Sequence, residues 1–326
     1  MSKNKSVTRR HHYVPRGYLK GFAKDRIQIH AKPLDKNDKE FKAGVGHVAL
    51  EYEYNTLKSP AIFERIDEAE GQLGAIENKA IPIIRGIENH DWRLDLEKRN
   101  ILSFYIALQA TRVPRIRAMH EEFLNYLEER RDEIEGPDHL KIIAQSFEHL
   151  NYPDFDANIV WQSLSDKNLS LKDNLQLQHL QNTFISAERD FEFILIRPWK
   201  FVYFDDCVLI TSDSPISSYP PKKILTKENS TIGGVSGMLF PVSRRVALSI
   251  GDYPRVNPSM SVQSATSDFE IIRDNMDGKR DRSVKGNAVI ARHYNSMTAH
   301  FAHKYLYCHP DDADFDAAEL RNSFYI

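Results

Sequence analysis

Cysteine is nearly missing from this chain: Cys207 and Cys308 are the only two among 326 residues. Two thiols cannot make a disulfide framework, and both sit in apolar or aromatic patterns that read as small core positions. Long hydrophobic runs are missing too, so no segment reaches the length of a membrane-spanning helix. The first residues lack the apolar stretch of a secretory signal, which sets the expectation of a cytoplasmic protein with no membrane partner. Neither a Walker A loop nor a G-x-G-x-x-G turn occurs, which excludes those two ways of cradling a triphosphate or a dinucleotide. No nucleophile elbow surrounds Ser212 or Ser214. His300 and His303 are three apart with no third ligand at zinc spacing, and Glu77-Asn78-Lys79 fits E-x-K only inside a helical pattern.

What remains is a globular composition, 41% hydrophobic and 28% charged with a net charge of −2, in a chain long enough for one large domain or two ordinary ones. The charge is uneven. Lys3, Lys5, Arg9, Arg10, Arg16, Lys20, Lys24 and Arg26 face the single acid Asp25 within residues 1–26, an arm able to attract phosphates or to remain a solvated terminus.

Periodicity divides the chain in two. Pro15 is placed to open a short helix carrying Tyr18, Leu19 and Phe22, and Ile27–Ala31 alternates like a strand. Residues 60–89 predict a helix striped by Ile66, Leu73, Ala80, Ile84 and Ile87 and kinked at Pro82. Residues 95–131 predict a long helix or a broken pair bent near Pro114. After the Gly136-Pro137 turn, residues 138–165 read as helix, loop and helix. A capping box at Ser170–Asp173 opens a further helix to about residue 196. Then the period changes. Trp199–Phe204, Cys207–Thr211, Met238–Val242 and Val246–Ile250 predict strands, with Asp205-Asp206 and Ser243-Arg244-Arg245 as hairpin connections. Residues 217–236 read as a surface loop, residues 284–304 as helix and Tyr305–Cys308 as a last strand. The expected fold is α+β: a helical bulk over residues 10–196 packed on a small, mainly antiparallel sheet from the 199–250 region, with a C-terminal helix. Residues 1–308 would form one composite domain and residues 309–326 a tail.

Helical geometry puts polar residues on apolar stripes. Glu77 shares a stripe with Leu73, Ala80 and Ile84. Gln109 and Arg112 share one with Leu102 and Tyr105. Asn295 shares one with Ala291, Thr298 and Ala302. An unpartnered buried carboxylate or guanidinium costs several kcal/mol, of order 3–5, so these groups must meet one another or a cleft. A Glu77–Arg112 ion pair holding two helices is the structural alternative to a site.

Two dense polar segments complete the candidate set. Arg10-His11-His12-Tyr13-Val14-Pro15 holds adjacent histidines that face opposite ways in an extended chain, so at most one enters a given site; His12 is preferred. Thr211-Ser212-Asp213-Ser214-Pro215 turns sharply after an apolar run. Asp213 there is suited to a divalent cation or to orienting a histidine, and equally to an Asx-turn before Pro215.

At these residues the chain resembles an uncharacterised bacterial family, the domain of unknown function numbered 4238. The resemblance rests on His12-Tyr13-Val14-Pro15 followed by Tyr18-Leu19 and Phe22, on Gln109, Arg112 and Pro114, and on Trp199 ahead of Thr211-Ser212-Asp213-Ser214-Pro215. Phe240-Pro241-Val242-Ser243 and the late Asn295 extend it over residues 10–308. Ser214 stands where the family pattern has Asn. The resemblance implies a family and no activity.

The chemistry of the set suggests a phosphodiester or nucleotide hydrolase, nuclease-like, with a place in phage defence. His12 would act as general acid or base. Glu77 and Asp213 would hold Mg²⁺ or Mn²⁺ or orient His12. Arg112 would steady a phosphate, with His11, Tyr13, Gln109, Thr211, Ser212 and Asn295 around the substrate; nucleic acid or a nucleotide is the expected partner. The alternative is a non-enzymatic sensor or binding module for a small anionic ligand. A third possibility is a purely structural network.

Overall fold

The computed structural model describes residues 10–52, 68–146, 157–165, 175–219, 235–251 and 262–324. The basic residues 1–9, the capping box at 170–173 and most of the 217–236 loop lie outside that set. In chain order the elements are β1 (Arg10–His12), α1 (Arg16–Leu19), β2 (Gln28–Pro33), β3 (Phe41–Gly44), β4 (Leu50–Tyr52), α2 (Glu68–Glu88), α3 (Leu96–Thr111) and α4 (Pro114–Glu129). Then come α5 (Pro137–Ser146), α6 (Ala157–Ser165), α7 (Leu175–Leu195), β5 (Trp199–Tyr203), β6 (Thr211–Ser212), β7 (Ser217–Tyr219), β8 (Gly237–Ser243) and β9 (Val246–Ile250). The chain closes with α8 (Val262–Met276), β10 (Arg282–Lys285), α9 (Ala288–Phe301), β11 (Tyr305–Cys308) and α10 (Ala317–Asn322). The class is α+β.

The helices follow their stripes. Leu73, Ala80, Ile84 and Ile87 of α2 are buried. Asp95 caps α3 by accepting from the Lys98 N–H. The long 95–131 pattern breaks where Pro114 becomes the first residue of α4, the helix position in which a missing N–H costs nothing. Beyond that break, Phe123, Leu124 and Leu127 of α4 pack with Leu140 and Ile143 of α5 and Leu164 of α6 into a separate small core.

The strands form three sheets rather than the single sheet expected from residues 199–250. One has the order β10-β5-β9-β8-β7, antiparallel except for the β10–β5 pair. A second, β3-β2-β11-β6, interleaves the two ends of the chain. The third is the β1–β4 pair, with His11 opposite Glu51 and His12 opposite Leu50. Residues 10–196, mainly helical as expected, also supply β1 to β4; β2 corresponds to the strand expected at 27–31, and β1, β3 and β4 are additional. The expected hairpin at Asp205-Asp206 is instead a crossing between sheets: β5 pairs with β9 and β10, whereas β6 pairs with β11. Of the predicted strand 207–211 only Thr211 is in a ladder.

All seven residues of β8 are buried, as in a strand covered on both faces. A register shift at Pro241/Ser243 lets β8 carry a proline beside β9. Gly21 lies flat on this strand, where a Cβ would meet the Val242 carbonyl oxygen at 3.1 Å; its own carbonyl accepts the Arg244 N–H. Residues 309–324, expected as a tail, include the helix α10, whose Ala317 joins a small core with Ile210, Ala299, Ala302 and Leu306.

Candidate functional site

Folding links the two polar segments through intermediate residues. The Tyr18 hydroxyl bridges Thr211 Oγ1 at 2.7 Å and the Pro241 carbonyl at 2.6 Å, across 193 and 223 residues of sequence. The Tyr13 and Tyr307 hydroxyls hydrogen-bond, and both feel the charge of Asp213. Burial holds both phenols above their ordinary pKa, so both are neutral hydrogen-bonding groups.

Asp213 is 1% exposed. Its Oδ1 accepts from the His303 N–H at 2.8 Å, and its Oδ2 accepts from the Lys304 and Tyr305 N–H groups at 2.7 and 2.8 Å. These donors are the end of the turn after α9 and the first residue of β11. Burial pushes the Asp213 pKa up while the three N–H groups pull it back. The carboxylate closes that turn. It makes no Asx-turn, and both its oxygens are engaged. The Asx-like closure falls one residue earlier, where Ser212 Oγ donates to the Ser214 carbonyl and accepts the Ser214 N–H.

Asn295 does parallel work on the segment before β6. Its Oδ1 accepts the Ile210 N–H at 3.0 Å and its Nδ2 donates to the Val208 carbonyl at 2.9 Å. The Leu209 N–H goes to the Arg244 carbonyl. The Val208 carbonyl and the Leu209 and Ile210 N–H groups are thus bonded without the run being a strand.

The other half of the set gathers on the Tyr13 carbonyl. Gln109 Nε2 donates to it at 2.9 Å and Arg112 Nε at 3.0 Å, while Arg112 Nη2 reaches Glu77 Oε1 at 2.8 Å. The expected α2–α3 ion pair exists, with the Glu77 side chain 26% exposed and Arg112 nearly covered. One turn from Gln109 the Tyr105 hydroxyl lies within electrostatic reach of Glu77, Arg112 and Arg85. Tyr105 Oη and Gln109 Oε1 are buried with no hydrogen-bond partner. In β1, His11 and not the preferred His12 is the more buried histidine; His12 is half-buried.

Glu77 with Arg112, Gln109 and Tyr13 therefore forms one seam, and Thr211, Ser212, Asp213 and Asn295 form another, linked through Tyr18 and the Tyr13–Tyr307 pair. No contact between Glu77 and Asp213 is among the hydrogen bonds or ion pairs of the described residues. Among those residues no group of three or more His, Cys, Asp or Glu side chains is arranged to hold a metal ion, and no helix is long and apolar enough to cross a membrane.

Sequence reasoning missed a second polar centre. Arg99 is fully buried, stacked 3.9 Å over the Trp199 ring, and donates to Asp281 Oδ2 at 2.5 Å and to the Leu195 and Arg197 carbonyls. Its position on an apolar face of α3 was the available signal. Tyr105 was seen in its stripe but not as a polar group.

The sequence profile of DUF4238, described as a protein of unknown function, matches residues 10–312. The chain belongs to the DUF4238 family. No curated protein and no solved structure matches it. The matched DUF4238 region takes in both polar seams and the Arg99 centre.

Proposed function

We propose that this DUF4238 chain is a binding module for a small anionic ligand, docking at the Glu77–Arg112 edge. The observation that supports this reading best is the pair of buried atoms, Tyr105 Oη and Gln109 Oε1, without partners beside that edge. Each would cost about 1–3 kcal/mol if left dry, and a polar guest relieves both. Arg112 supplies the charge. Its bond to the Tyr13 carbonyl is fixed backbone, whereas Glu77 is partly exposed and replaceable. An incoming carboxylate or phosphate takes the place of Glu77 on the guanidinium. The Tyr105 hydroxyl donates to it, and Gln109 Oε1 accepts from a ligand hydroxyl or N–H.

Glu77→Gln removes the competing charge and keeps the shape. Calorimetric titration with inorganic phosphate and pyrophosphate should show the variant binding about tenfold more tightly, roughly 1.4 kcal/mol, and Tyr105→Phe binding more weakly. Wild type that binds none of these anions, or Glu77→Gln that loses binding, sinks the reading.

Hydrolysis of a phosphodiester or nucleotide, with Mg²⁺ or Mn²⁺, is the second reading. One observation favours it: Glu77 is an accessible carboxylate beside a guanidinium, a pairing suited to holding a cation next to a phosphate. Asp213 does not fit the metal-ligand role, because both its oxygens are taken by backbone N–H groups. In this reading Glu77→Gln abolishes turnover, opposite to the gain expected of a binding module.

A further inference from the structure

Four non-glycine residues among those described adopt left-handed backbone: Asp25 at φ 51°, Arg26 at 57°, Ala49 at 52° and His90 at 67°. This region is unfavourable for L-residues, and such conformations gather at working sites. Asp25, Arg26 and His90 all line one cleft of about 620 Å³ between the α1–β2 turn, the end of α2 and the β8–β9 hairpin.

His90 is the most telling of the three. The Asp91 N–H bonds back to the Gly86 carbonyl at 2.9 Å and the His90 N–H to the Ile87 carbonyl at 3.0 Å. That closure places His90 at the helix-ending position where glycine is the unstrained choice. The imidazole is exposed, so burial does not explain its retention there. It stacks on Trp92 at 4.8 Å and 23°, and Trp92 stacks on Phe201 at 5.2 Å. His90 and Trp92 also line a neighbouring cleft of about 770 Å³. The His90 ring thus divides two adjoining clefts and is backed by an aromatic stack.

In the lining of the smaller cleft four cations stand against three carboxylates, Asp25, Glu88 and Asp205. Arg26 is paired with Glu88 and Arg244 with Asp312. Lys20 and Arg245 have no ion pair among the described residues, and Arg245 is aimed by the Asp205 and Cys207 carbonyls that accept from it. Asp205, paired with Lys285, lies within electrostatic reach of Arg245. An aromatic surface next to the carbonyl-held Arg245 and the exposed Lys20 matches a flat heterocycle joined to a phosphate.

We propose that the joined clefts bind a nucleotide, its base stacked on the His90 ring and its phosphate against Lys20 and Arg245. This site is separate from the Glu77–Arg112 edge and does not depend on it. A free mononucleotide and the end of a single strand share this chemistry.

The test is His90→Gly in the full-length chain. Glycine relieves the left-handed strain, so the variant should melt higher than wild type while its affinity for AMP, followed by tryptophan fluorescence, falls about tenfold. Lys20→Glu, on an exposed residue outside any ion pair among the described residues, should also weaken AMP binding. Titrating AMP and a short single-stranded oligonucleotide side by side separates the sources, the tighter binder marking the physiological one. Tyr105→Phe touches only the other edge and should leave this affinity unchanged, so failure of one site is read apart from failure of the other. Wild type that binds neither probe overturns the proposal, as does His90→Gly that melts higher and binds as wild type does.

Discussion

Asp213, Asn295 and Gln109 show how a polar residue on an apolar stripe can serve backbone before it serves chemistry. Each satisfies main-chain groups at the edges of the regular elements: the entry to β11, the 208–210 segment and the Tyr13 carbonyl. Removing one such side chain strands buried N–H and C=O groups. Asn295→Ala should lower the unfolding free energy by about 2 kcal/mol, measured by urea unfolding; a loss below about 0.5 kcal/mol would show that water takes over both bonds. The Glu77–Arg112 pair was legible because both residues lie on otherwise apolar helical stripes. Arg99–Asp281 was not, because 182 residues separate the partners and Asp281 sits in a weakly patterned stretch.

At the scale of elements, long amphipathic helices were readable and short exposed strands were not. α2, α3 with α4, α7 and α9 follow a 3.6-residue stripe, and Pro114 marks its own break. β10 has all four residues exposed and β3 has two exposed and two half-buried, so neither alternates. The run 207–210 looked like a strand because burial and strand pairing leave the same apolar signature; Asn295 and the Arg244 carbonyl answer its backbone instead. In α4 burial lowers the His120 pKa from 6.5 to about 4. A base with a depressed folded pKa binds fewer protons folded than unfolded, so stability falls as pH drops from 6.5 towards 4 and the loss ends below that. His120→Phe should flatten that part of the stability–pH curve, followed by urea unfolding across the range. An unchanged curve would assign the acid sensitivity elsewhere.

The whole molecule is built from long-range pairings. β2 lies beside β11, Tyr18 reaches Thr211, and Asp213 fixes the approach to β11. The composite reading of the two polar segments came from their composition alone, and the structure links them indirectly, through Tyr18 on Thr211 and through Tyr13 on Tyr307, the strand partner of Thr211. Pattern could not say which members would be committed to the frame, because that depends on which backbone groups the tertiary fold leaves unpaired. The Thr211–Pro215 segment is buried and bonded to backbone, while Glu77 is partly exposed and His90 opens onto its clefts. Urea unfolding of wild type and Asp213→Asn, each with and without Mn²⁺, tests this division most directly. Asparagine offers one acceptor oxygen where three N–H groups converge, so the variant should lose about 3 kcal/mol whether or not the metal is present. An Asp213→Asn protein as stable as wild type, with Mn²⁺ stabilising only the wild type, would contradict the account and return Asp213 to a metal site.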